Sequence, residues 1–62
     1  GNHCHISTGA LINGGVTIGD GSFVGSGAVI HQGIKIGKHA VISAGLVIKR
    51  DVADGEIIGV NP

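Results

Sequence analysis

From Ile6 to Ile48 one residue type returns every six positions: Ile6, Ile12, Ile18, Val24, Ile30, Ile36, Ile42 and Ile48. All eight positions hold a β-branched aliphatic. A helix returns its buried face about every 3.6 residues and a half-buried strand every second residue, and neither holds a six-residue phase over such a span. A fixed short repeat signals a solenoid, and a repeat of six signals a β-helix.

The remaining slots of the repeat explain its length. With the aliphatic as slot one, slot five holds Ala10, Val16, Ser22, Ala28, Ile34, Ala40, Leu46 and Val52, mostly small and mostly apolar. Slots five and one are two residues apart, so on extended backbone they face the same way, into the core. Slot four reads Gly9, Gly15, Gly21, Gly27, Gly33, His39, Gly45 and Asp51. Glycine recurring at one slot points to a backbone with positive φ. His and Asp are among the few other types enriched there. Each hexad is therefore predicted to be a short strand and a tight corner. Three strands per coil make a triangular prism of 18 residues per turn, about 3.4 coils in 62 residues. Residues 18 apart then stack: Ile6 on Val24 on Ile42, Ile12 on Ile30 on Ile48, Ile18 on Ile36. The coils pair as a parallel ladder with a rise of about 4.8 Å.

These hexads resemble the hexapeptide-repeat acyltransferases. The resemblance implies an all-β chain folded as a left-handed parallel β-helix; the left hand comes from the resemblance alone. Narrower likeness lies in Gly1-x-x-x-His5-Ile6-Ser7 with Gly14-Gly15-Val16-x-Ile18-Gly19. This looks like the bacterial sugar O- and N-acetyltransferases of the sialic-acid and bacillosamine type, over nearly the whole chain. Lys49-x-Asp51-Val52-x-Asp54 followed by Gly59-Val60-Asn61-Pro62 resembles the exit segment of many such enzymes.

Composition narrows the partners. Four Lys/Arg balance four Asp/Glu, so no field favouring nucleic acid or a membrane surface is expected. One aromatic, Phe23, provides no platform for stacking bases. Cys4 has no second cysteine to pair with, which fits a reducing compartment. No signal-peptide pattern and no apolar run of spanning length is present, and a cytoplasmic location is expected. Gly1-Asn2-His3-Cys4-His5 aligns with Gly19-Asp20-Gly21-Ser22-Phe23, so the chain opens inside a repeat without a cap. A piece of a longer protein, or a chain stabilised by neighbours, is expected. Asp54 falls on slot one, which predicts that the prism stops near Val52. Residues 1–53 are read as the β-helix and residues 54–62 as a C-terminal exit segment.

The resemblance also implies roles. His5 corresponds to the histidine that hydrogen-bonds the thioester carbonyl of acetyl-CoA, and its slot-six position beside Ile6 points it outward. The general-base histidine would lie before Gly1, so no catalytic base is assigned within the chain. Acetyl-CoA would run along the prism axis between subunits of a homotrimer. Gly14, Ser26 and Ala44 would line the pantetheine path, with Thr8, Ser26 and Ala44 forming a column of little bulk. Lys49 and Arg50 would meet the CoA phosphates. The acceptor would be an amino or hydroxyl group of a sugar or nucleotide-sugar. His31 is read as an outward strand residue, His39 as a corner residue and Cys4 as a core filler. His3 and His39, 36 residues apart, suggest the alternative of a γ-type carbonic anhydrase-like metal site, but the position for a third imidazole holds Ala44. A non-catalytic structural prism is a further alternative; it lacks the regular Thr rows of an ice-binding face. No metal ligand is assigned.

Overall fold

In a computed structural model, which describes residues 3–59, the hexads form nine two-residue strands and no helix among the described residues. They are β1 (His5–Ile6), β2 (Leu11–Ile12), β3 (Thr17–Ile18), β4 (Phe23–Val24), β5 (Val29–Ile30), β6 (Lys35–Ile36), β7 (Val41–Ile42), β8 (Val47–Ile48) and β9 (Ile57–Ile58). All pairings are parallel, in three sheets ordered β1-β4-β7-β9, β2-β5-β8 and β3-β6. Ile6 faces Val24, Val24 faces Ile42, Ile12 faces Ile30 and Ile30 faces Ile48, as the 18-residue columns require. The fold is a parallel β-helix.

The core is the inner file of slots one and five. Val24, Ala28, Ile30, Ile34, Ile36, Ala40, Ile42, Ile48 and Val52 are buried. Ile6, in the first described coil, is 42% exposed, because its column has a neighbour on one side only. The corners turn as the glycines predict: Gly9, Gly15, Gly21, Gly27, Gly33 and Gly45 have φ between 70° and 77°. His39 occupies the same left-handed corner at φ 53°, and so does His3 at φ 60°.

Asp51 does not. Among the described residues His3 and His39 are the only non-glycine residues with positive φ. The corner after β8 is two residues short. Val52 bridges Ile36 and Ile57 faces Val41, each 16 residues on instead of 18. Val52 therefore fills the large slot that the six-residue count gives to Asp54. Gly55 takes the next left-handed corner at φ 71°, and the ladder runs on through Ile58. The prism does not stop near Val52; it changes phase there.

Side-chain carboxylates repair the shortened corner. Elsewhere a strand N–H is met by a backbone carbonyl one coil on, as Thr17 N–H donates to Ile34 O at 3.1 Å. At the short corner Lys35 N–H donates to Asp51 Oδ1 at 2.9 Å, and Lys38 N–H to Asp54 Oδ1 at 2.8 Å. A ladder that lost these acceptors would leave its donors to water alone.

Candidate functional site

The three faces differ in what they show outward. Slot six carries His5, Phe23, Val41 and Ile57 on the first face, and Leu11, Val29 and Val47 on the second. On the third it carries Thr17 and Lys35. The slot-six rows of two faces are thus apolar apart from His5. Leu11, Val47 and Ile57 are more than half exposed, and Phe23 is 38% exposed. Isolated exposed aliphatics are ordinary; contiguous exposed rows mark a surface that meets something.

His5 stands on the first face, exposed as expected. Its backbone is tied on both sides: His5 N–H donates to Ser22 O and Ser7 N–H to Val24 O, each at 2.9 Å. The imidazole lies flat on the Phe23 ring, with centroids 5.1 Å apart and planes 2° from parallel.

Ser26 and Ala44 lie, with Thr8, on the corner between the first and second faces, and all three are exposed. Gly45 N–H donates to Ser26 O at 2.9 Å and Gly27 N–H to Thr8 O at 3.2 Å, which fixes the column. Gly14 lies on the next corner, across the second face, and not in that column. Its φ is not positive and an added Cβ would meet nothing within 4 Å, so the fold itself does not demand glycine there. Gly25 differs: a Cβ would run into the Ser43–Ala44 backbone of the next coil. The six-residue count had no reading for that slot-two glycine.

Lys49 and Arg50 sit at the shortened corner, both exposed. Arg50 is already engaged. Its Nη2 donates to Glu56 Oε2 at 2.6 Å, and its Nη1 to Glu56 Oε1 at 3.2 Å and to Asp51 O at 2.9 Å. The guanidinium first, and the Ala53 N–H at 3.0 Å second, hold the Glu56 carboxyl down at about 2. Lys49 forms no ion pair among the described residues and is the cation at this end with its ammonium uncommitted.

The other histidines and the cysteine are placed by the fold. The His39 ring covers Gly21, where a Cβ would meet it at 2.5 Å. His31 is exposed on the second face. The half-buried Cys4 thiol donates to Gly19 O at 3.2 Å. Among the described residues no group of three or more His, Cys, Asp or Glu could hold a metal ion. The single prism has no pocket among those residues.

The family described as the hexapeptide repeat of succinyl-transferase matches residues 15–50, more than half of the chain. No curated protein matches it. Solved structures that match include the acetyltransferase domain of PglB from Neisseria gonorrhoeae FA1090, alone and in complex with acetyl coenzyme A. In each case the identity is 39%, the TM-score 0.89 and the coverage 95% of this chain. The chain spans 29% of the length of those solved chains.

Proposed function

Because this chain belongs to the hexapeptide-repeat family, we propose that it forms part of the left-handed β-helix of an acetyl-CoA-dependent acetyltransferase, acting on an amino or hydroxyl group of a sugar or nucleotide-sugar. The observation that carries this reading is the likeness, over nearly the whole chain, to an acetyltransferase domain solved with acetyl coenzyme A.

The working assembly is a homotrimer of parallel prisms. Its support is the pair of largely apolar slot-six rows, which a single prism leaves in water. Acetyl-CoA lies in the groove between two copies. Such a groove draws on two corners, with Ser26 and Ala44 on one wall and Gly14 on the other. The open space at Gly14 and its unstrained backbone leave ligand approach as a reason for glycine there. Lys49 meets a phosphate at the end of the groove. Arg50 joins it only by exchanging Glu56 for the phosphate, so its part is the smaller. Of the proposed exit segment 54–62, residues 54–59 complete the last described coil.

The chemistry is direct transfer. The acceptor attacks the thioester carbonyl, its proton passes to a general-base histidine upstream of Gly1, and the CoA thiolate leaves. His5 donates its imidazole N–H to the oxyanion that develops on the carbonyl oxygen. That donor is worth more to the transition state than to the bound thioester, which is what raises turnover. In the intact protein, His5→Ala should lower kcat by roughly 10²–10³. The fold should lose less than about 1 kcal/mol, since the imidazole is exposed and its one ring partner is Phe23. Steady-state kinetics beside a thermal melt would decide. Unchanged turnover removes His5 from the site.

A further inference from the structure

Phe23 is the single aromatic residue of the chain. The core makes no use of it. Among the described residues every buried side chain is aliphatic, alanine or Ser22, the other buried position being Gly25, and Phe23 sits in slot six with its ring outside the prism. Its neighbours on the same face, Val41 and Ile57, are aliphatic, and so are Leu11, Val29 and Val47 on the second face. A valine or isoleucine would meet the needs of the ladder equally well. What distinguishes Phe23 is its partner: the ring lies parallel to the His5 imidazole at 5.1 Å.

We propose that Phe23 is a positioning residue for His5. This rests on the assignment of His5 as the oxyanion donor. An exposed imidazole turns about its Cβ–Cγ bond and samples a broad range of ring orientations. The flat face of Phe23, one ladder step away, restricts it to one plane. Register makes this possible, because His5 pairs directly with Phe23 and slot-six side chains of paired strands stand side by side. Phe23 is fixed in its turn. Its N–H donates to Ala40 O at 2.8 Å, and Val41 pairs with it on the other side. An N–H held in one direction costs no reorganisation when the oxyanion forms, which is where a donor gains its effect. The aromatic ring thus serves turnover more than binding.

The test uses the intact protein and four variants. Phe23→Leu keeps an apolar side chain of similar bulk and removes the flat face; Phe23→Tyr keeps the face. Phe23→Leu should lower kcat about tenfold, with KM for acetyl-CoA and for the acceptor within about twofold of wild type. It should also keep the oligomeric state. Phe23→Tyr should restore turnover. The His5 ring protons should move downfield in Phe23→Leu, as the ring current of the stacked phenyl is lost. The double variant His5→Ala/Phe23→Leu should be no slower than His5→Ala alone, because Phe23 acts through His5. Wild-type kcat in Phe23→Leu, or additive losses in the double variant, would overturn the positioning role. If His5→Ala itself turned over normally, the assignment of His5 would fail first and that of Phe23 with it.

Discussion

Single atoms decide how the corners close. At Gly25–Ala28 the turn is shut by Ala28 N–H donating directly to Gly25 O at 3.2 Å. One coil edge away, at Gly37–Ala40, the Ser22 hydroxyl stands between the two groups. It accepts Ala40 N–H at 3.0 Å and donates to Gly37 O at 2.6 Å. Ser22 is buried, so both its partners depend on it. Ser22→Ala should cost about 1–3 kcal/mol, the usual effect of leaving a buried donor and acceptor without a partner. Chemical unfolding of the two proteins would measure it, and an unchanged midpoint would show that the turn closes directly once the hydroxyl is gone. Sequence alone carried half of this. The six-residue phase placed Ser22 in a small inward slot, but a serine there reads the same as an alanine. Its hydrogen bonds reach the next coil, and period says nothing of them. His39 was legible for the opposite reason: its left-handed backbone is a local property of the slot.

The strands and most corners were legible because each is set by a residue type at fixed spacing. The shortened corner was not, because a two-residue loss shows only in what stacks on what. Val52, and not Asp54, completes the column of Ile18 and Ile36. The carboxylates of Asp51 and Asp54 supply acceptors for Lys35 and Lys38, and the Arg50–Glu56 pair closes the corner from outside. Glu56 titrates at about 2 in the fold, against an ordinary value of 4.5. A carboxyl depressed in the folded state adds stability above its unfolded pKa, and that part is lost as pH falls through the folded one. The contribution should be whole above about pH 4.5 and fade between there and about pH 2. Melting temperatures of wild type and Glu56→Gln should differ at pH 6 and converge near pH 2. Parallel curves over that range would mean that solvent screens the pair completely, as it does many exposed pairs.

At the scale of the whole molecule, two faces of the prism carry largely apolar slot-six rows and the third carries Thr17 and Lys35. In the proposed trimer, three such prisms would bury these rows against one another and leave grooves at the corners; in the single prism the corner of Thr8, Ser26 and Ala44 is exposed along its length. The interior of the prism does not require that column to be small, since slot three lies outside the core. A cofactor-sized chain lying against the backbone does require it. The fold and its inward files follow from alternation along each hexad. The proposed groove would need a second copy and could be read only through the likeness to known enzymes. Calorimetric titration of acetyl-CoA into the intact protein tests it most directly, with Ala44→Phe as the blocking variant and Lys35→Phe, on the polar third face, as the matched control. Wild type and Lys35→Phe should bind alike, whereas Ala44→Phe, with fold and assembly intact, should lose at least about tenfold in affinity, roughly 1.4 kcal/mol. Equal affinity in all three, or no binding of acetyl-CoA by the wild type, would contradict the site and the function built on it.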